Sequence, residues 1–383
     1  MTTAEQNASN NHARLTDARR VVVKIGSSLL IDKADGSLNK VWLESLAAEL
    51  AAMIKQGQQV MLVSSGAIAL GRSYLGMGPQ QRRLEQHQAA AAAGQVLLAH
   101  AYQELMALHA CKVAQILLTP DDTEDRRRYL NGRNTMETLL SLGVLPVINE
   151  NDSVATEEIR YGDNDRLAAR VAEMVSADCL VLLSDVDGMY DADPTVNTSA
   201  QLIEQVREIT PELAALAGES QTAYGSGGMA TKLAAARICM SAGCATVIAS
   251  GHEQSPLSKI SGGARCTWFI PSSTPLAARK QWIAGALTPK GKLIIDSGAE
   301  TALGEGKSLL PIGVQQVVGD FYRGDAVTIA AADGRDIGRG LAAHSSAEAA
   351  QIIGRHSDEI DEYLGYASRS EIVHRDNLVL LDN

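Results

Sequence analysis

The chain has 383 residues, 45% hydrophobic and 21% charged, which is room for two or three domains with sizeable cores. No apolar run is long enough to span a bilayer, and a formal net charge of −11 disfavours a protein built to grip nucleic acid or anionic membrane. Small anionic substrates remain open, because they need only local positive charge.

Residues 1–18 are polar and read as a flexible tail without a secretory signal. Strand-like apolar runs then follow at Val21–Ile25, Val60–Val63, Val113–Leu118, Val144–Ile148, Cys179–Leu183 and Thr246–Ala249. Helical patterns lie between them at Val41–Lys55, Glu85–Leu108, Thr135–Ser141, Arg166–Val175 and Lys232–Ser241. Unbroken apolar strands are buried on both faces, and their alternation with helices predicts an α/β fold with a mostly parallel central sheet sandwiched by helices. Ligands of such sheets bind at the carboxyl ends of the strands. The pattern changes at Pro271–Pro275, so the segment 271–290 reads as a linker between a domain at 19–270 and another at 291–383. The second has short Gly-punctuated strands at Lys292–Ile295, Gln316–Val318, Ala326–Ala330 and Gly340–Ala342. Asp333-Gly334 is a hairpin turn signal between two of them, and the whole reads as a small β-rich domain. The apolar Leu378–Leu381 at the end is expected to dock on it.

Five cysteines (Cys111, Cys179, Cys239, Cys244 and Cys266) form no CxxC pair and read as reduced thiols of a cytoplasmic protein. The eight histidines are scattered, with no HExxH.

Several motifs sit where a sheet of this kind would bind a ligand. Lys24 leaves the first strand into Gly26-Ser27-Ser28, where glycine lets the backbone approach a phosphate and lysine supplies a compact charge. Ser64-Ser65-Gly66-Ala67 opens the helix after the second strand, a place for an anion or for an ordinary serine cap. Asn149-Glu150-Asn151-Asp152 follows the fourth strand and Ser184-Asp185 the fifth; Gly162-Asp163-Asn164-Asp165 forms another polar cluster. Far along the chain, Gly225-Ser226-Gly227-Gly228-Met229-Ala230-Thr231-Lys232 is a second glycine-rich loop ending in lysine. Two loops of backbone donors, each with one lysine, suit phosphoryl transfer outside the Walker-A design. The loose GxGxxA within the second loop follows no strand, so it is not a dinucleotide site. Gly304-Glu305-Gly306-Lys307-Ser308 resembles the end of a Walker-A motif, but Thr301 stands at the first glycine position, and it reads as a surface loop. Arg126-Arg127-Arg128 reads as a solvated helix face, and Tyr74, Tyr102 and Tyr129 as packing.

With these residues placed, the chain resembles the glutamate 5-kinases of the amino acid kinase family. The motifs are VVVKIGSSLL, SSGAIALG, PVINENDSVA, YGDNDRLAA, LLSDVDGMYDADP and GSGGMATKLAAA, with Ser184 standing where threonine is often found. The C-terminal region resembles a PUA domain. The resemblance implies transfer of the γ-phosphoryl group of ATP, with Mg²⁺, to the side-chain carboxylate of L-glutamate, at the head of proline biosynthesis and with L-proline as feedback inhibitor. Carried over by position, Lys24, Lys232 and Asp165 would be catalytic. Ser65, Gly66, Ala67, Asp152 and Asn164 would bind glutamate. Lys24, Gly26, Ser184, Asp185, Ser226, Gly227, Gly228, Met229, Ala230, Thr231 and Lys232 would line the ATP site, with no residue assigned as a protein ligand to metal. A homodimer or homotetramer is implied, with no membrane partner. Two other readings stay open here: a different acyl or uridylate kinase of the same fold, or RNA binding through the PUA-like region. Residues 291–383 hold 8 Lys and Arg against 15 Asp and Glu, which speaks against RNA.

Overall fold

The computed structural model describes residues 15–32, 36–78, 83–154, 164–218, 228–285, 288–366 and 368–381. The chain divides into two compact units, Met1–Pro275 and Leu276–Asn383.

In the first unit eight strands form one sheet: β1 (Arg20–Ile25), β2 (Gln59–Ser64), β3 (Lys112–Leu118), β4 (Val144–Glu150), β5 (Cys179–Ser184), β6 (Gln205–Val206), β7 (Ala245–Ser250) and β8 (Cys266–Phe269). Their order is β3-β4-β2-β1-β5-β7-β8-β6, with every neighbouring pair parallel except β7 and β8. This is the expected mostly parallel α/β sheet. Strands β1, β2, β4 and β5 are buried along almost their whole length because helices cover both faces. β3 lies at the edge, and of its residues only Leu118 is buried.

Side-chain alternation along a strand sends successive residues to opposite faces. Val21, Val23 and Ile25 therefore enter one core, with Leu43, Leu46 and Leu50 of the helix Lys40–Lys55. Val22 enters the other, with Leu167 and Val171 of the helix Asn164–Met174 and Leu233 and Ala236 of the helix Met229–Ser241. By the same parity Lys24 belongs to this second face, beneath the first turns of those two helices. Register completes the placement. Ile25 stands opposite Ser64 of β2 and Leu183 of β5, so Gly26, Ser65 and Ser184 leave the sheet at one rim.

The four described residues of the expected tail, 15–18, are packed rather than loose. Leu15 and Ala18 are buried, and Gln58 Nε2 donates to the carbonyl oxygens of both at 3.0 and 2.7 Å.

The second unit holds five strands: β9 (Gly291–Ile295), β10 (Val314–Gly319), β11 (Ala326–Ala331), β12 (Asp336–Leu341) and β13 (Leu378–Leu380). The order is β10-β9-β11-β12-β13, antiparallel except for β9 with β11. Asp333-Gly334 lies in the β11–β12 hairpin, with Gly334 at φ +91° in the left-handed region that glycine tolerates. The terminal apolar stretch docks as β13 on β12. Inside the segment expected as a linker, Pro275–Gly285 forms a helix. Its Ile283 packs with Ala326 and Leu341, and Arg279 donates to Asn377 Oδ1 at 3.1 and 2.7 Å.

Candidate active site

Asp165 lies in the first turn of the helix Asn164–Met174 and is fully buried. Lys24 Nζ meets its Oδ1 at 2.5 Å, and Lys232 Nζ meets its Oδ2 at 3.1 Å. The structure thus brings two lysines 208 positions apart in the chain onto the two oxygens of one carboxylate. Thr231 Oγ also reaches Oδ2, at 3.0 Å. Burial by itself would push the Asp165 carboxyl up, but the ammonium groups of Lys24 and Lys232 hold it below the usual carboxylate range. The carboxylate is therefore ionised, and the trio carries one positive charge in excess. Lys24 and Lys232 are only 5% and 4% exposed. Excess charge held so far from water is costly unless an anion completes the group.

The backbone supplies further donors. Gly228 caps the helix Met229–Ser241 without a side-chain hydrogen bond, so the N–H groups of its first turn are available to an anion. Among the described residues, a Cβ at Gly228 would meet nothing within 4 Å, and one at Gly26 would meet only ordinary contacts. Neither glycine is demanded by local packing, and Gly26 has an unremarkable φ of −73°. Open space beside the backbone, as at Gly228, is what a close-approaching phosphate requires.

A second group of polar residues adjoins the first. Asn164 Nδ2 donates to Ser65 Oγ at 3.0 Å, Ser64 O at 2.9 Å and Asn149 Oδ1 at 2.9 Å. Asn149, at the end of β4, donates to Gln95 Oε1 at 2.8 Å. Gly66, at φ +99°, turns the chain from β2 into the helix Ala67–Tyr74, whose first residue Ala67 is buried. Behind them the hydroxyls of Ser64 and Tyr102 meet at 2.8 Å. Burial pushes the Tyr102 hydroxyl well above its ordinary pKa, so it stays protonated.

The amino acid kinase family model matches residues 19–250, and the PUA domain model matches residues 291–364. The chain belongs to the amino acid kinase family. Its relatives include the glutamate 5-kinase of Paramagnetospirillum magneticum, 57% identical, covering 96% of this chain and 99% of that one. Glutamate 5-kinase 1 of Rhizobium meliloti is also 57% identical, over 96% of this chain and 93% of that protein. The glutamate 5-kinase of Rhodospirillum rubrum is 55% identical, over 94% and 96%.

In this amino acid kinase the remaining expected residues fall as follows. Ser184 and Asp185 stand at the end of β5, joined by a 2.9 Å hydrogen bond from Ser184 Oγ to Asp185 Oδ1. Gly228, Met229, Ala230, Thr231 and Lys232 form the cap and first turn of the helix facing Asp165. Asp152 lies in the turn just beyond β4 and is half-buried. Ser226 and Gly227 lie outside the described residues, as do Gly162 and Asp163. Tyr102 packs in the core as expected and adds a hydroxyl contact to Ser64, whereas Gln95 is not among the residues that the motifs single out. The available signal was helical spacing: Ala91, Gln95, Leu98 and Tyr102 share one buried face, and Gln95 is the amide within it.

No helix among the described residues is long and apolar enough to cross a membrane. Among them, no group of three or more His, Cys, Asp or Glu is arranged to hold a metal ion.

Proposed function

We propose that the chain transfers the γ-phosphoryl group of ATP to the side-chain carboxylate of L-glutamate, giving γ-glutamyl phosphate and ADP at the head of proline biosynthesis. The observation that carries this reading is the convergence of Lys24 and Lys232 on the buried carboxylate of Asp165, directly beside the Ser65–Asn164 pair. The naming of close relatives as glutamate 5-kinases supports the choice of substrate.

The chemistry follows from the charges. The γ-carboxylate of glutamate has a pKa of about 4.3 and is already an anion at neutral pH, so the nucleophile needs no general base. One of its oxygens attacks the γ-phosphorus while the bond to the β–γ bridging oxygen breaks, and ADP leaves with that electron pair. The difficulty is the approach of one anion to another. Lys24 and Lys232 would neutralise charge on the transferring group, with the helix N-terminus at Gly228 assisting. Asp165 holds both lysines in register without accepting a proton. Mg²⁺, bound to the phosphate oxygens, would supply further charge neutralisation. Ser65 accepts from Asn164, which leaves its own hydroxyl hydrogen for a substrate carboxylate. Asn164 Oδ1 has no protein donor among the described residues and can take a substrate ammonium. Asp152 would add a second anionic contact for that ammonium.

Ser184, Asp185 and the loop 226–232 would line the nucleotide. L-Proline, which shares the α-carboxylate and ammonium-type nitrogen of glutamate, would inhibit by competing around the same pocket. The enzyme would work in the cytoplasm as a homodimer or homotetramer.

The test is ADP release, coupled to a dehydrogenase, with L-glutamate, L-aspartate, N-acetylglutamate and UMP as acceptors. Release with glutamate, trapped as the hydroxamate by hydroxylamine, is the expected result. Lys24→Ala should then lower kcat by roughly 10²–10³-fold. Preference for another acceptor, or near-normal turnover in Lys24→Ala, would overturn the assignment.

A further inference from the structure

The helix Leu84–Ala107 contributes no residue expected to touch the substrate, yet it carries a polar side chain into the interior behind the pocket. Gln95 is 7% exposed, in a stretch otherwise made of alanine, glycine, leucine and valine. Its Oε1 accepts from Asn149 Nδ2, and its Nε2 is buried without a partner among the described residues. A buried amide donor left unpaired is destabilising, and native proteins carry few of them. An apolar side chain of similar length would remove that donor but would leave Asn149 Nδ2 without its acceptor, so the amide at this position is tied to Asn149.

The hydrogen-bond directions supply an account. A carboxamide has one accepting end and one donating end. The acceptor on Gln95 fixes Asn149 with its amino group toward the helix and its oxygen toward Asn164. That oxygen, with Ser64 O and Ser65 Oγ, holds the amino group of Asn164, and the opposite end of Asn164 is presented as an acceptor. Asn149 is only 3% exposed, so water cannot readily replace Gln95 as its partner. The same helix face steadies the end of β2 through Tyr102 and Ser64. We infer that Gln95 is a positioning residue for the amino-acid pocket, setting the orientation of Asn164 through Asn149 from outside the site.

This rests on the reading of the pocket as a glutamate site. The experiment compares the full chain with Gln95→Met, which keeps the length and removes the acceptor, and Gln95→Glu, which keeps an acceptor oxygen in the same place. Gln95→Met should raise KM for L-glutamate by roughly 10-fold to 100-fold, leave KM for ATP within twofold, and melt only a few degrees below the parent, since Asn149 Nδ2 loses its acceptor. Gln95→Glu, whose unpaired carboxyl stays protonated at so buried a position, keeps the accepting oxygen and should return the glutamate KM to within about threefold of the parent. A Gln95→Met variant with the parent's glutamate KM, or one whose two KM values rise together, overturns the inference. If Gln95→Met does not fold, Gln95→Glu decides alone: a glutamate KM near the parent's upholds the acceptor role and a tenfold rise defeats it. A parent enzyme that releases no ADP with glutamate would remove the substrate reading instead, so the two failures are distinguishable.

Discussion

Replacing Asp165 by asparagine tests the charge logic of the site directly. Asparagine has the same shape, so packing around the fully buried position is kept. What changes is that two ammonium groups lose their shared counter-ion, and an amide N–H₂ now faces one of them. Removing one partner from a buried ionic group costs about 3–5 kcal/mol, because the other charge is left without compensation. At about 2–4 °C per kcal/mol for a domain of this size, the kinase unit should melt about 6–20 °C lower. The pH dependence has a definite sign. The Asp165 carboxyl is depressed when folded, so its contribution is fully present above its unfolded value of 3.8 and is lost as pH falls through the still lower folded value. The gap between parent and variant should therefore stay constant from about pH 8 to pH 5 and close only in strong acid. Sulfate or ATP should stabilise the variant more than the parent, because each anion restores the missing compensation and binds only the folded form. Differential scanning calorimetry across pH, with and without sulfate, measures all three. A melting temperature within 2 °C of the parent, indifferent to sulfate, would show that the two lysines do not depend on this carboxylate and would remove the basis of the proposed site.

Two further predictions follow from packing. A Cβ on Gly94 would lie 1.8 Å from the carbonyl oxygen of Ala67, and one on Gly71 would lie 1.8 Å from that of Ala90. Gly94→Ala must therefore push the helices Ala67–Tyr74 and Leu84–Ala107 apart, at about 1–3 kcal/mol. Because Ala67 directly follows Ser65-Gly66, the glutamate KM should rise with the loss of thermal stability; a variant matching the parent in both would contradict the close crossing. Thr246 is fully buried in β7, and its hydroxyl has no hydrogen-bond partner among the described residues. Thr246→Val should stabilise the chain by about 1 kcal/mol, by removing an unpaired polar group, and leave kinetics unchanged. A clear fall in melting temperature would mean that the hydroxyl is serving a partner after all.

Much of the fold was legible because burial on both faces writes itself into a strand as an unbroken apolar run, as in Val21–Val23 or Leu180–Leu183. Where that signature weakens, legibility ended. β6 has two residues and β8 four, too short for periodicity to register. For the helix Arg126–Ser141 the apolar pattern predicts only the part from Thr135, since its first turns are polar; its start is set by Asp125, whose side chain accepts from Arg128 N at 2.9 Å. Pro275 reads as punctuation in a linker, but proline is equally at home in the first helical position, and there it opens a helix. The same contrast divides the site. Lys24 was conspicuous because a lysine ending a buried strand has no use in a core. Lys232 and Asp165 stood out in polar or glycine-rich loops before helices. Gln95 gave no such contrast, since a glutamine within a helix is unremarkable until the facing strand end is known to carry Asn149. Residues that meet the substrate sit at strand and helix ends, where local chemistry exposes them to a reader of the sequence. Residues that hold those in place act across 54 positions of chain, as Gln95 does on Asn149, and only the packed structure brings that relation into view.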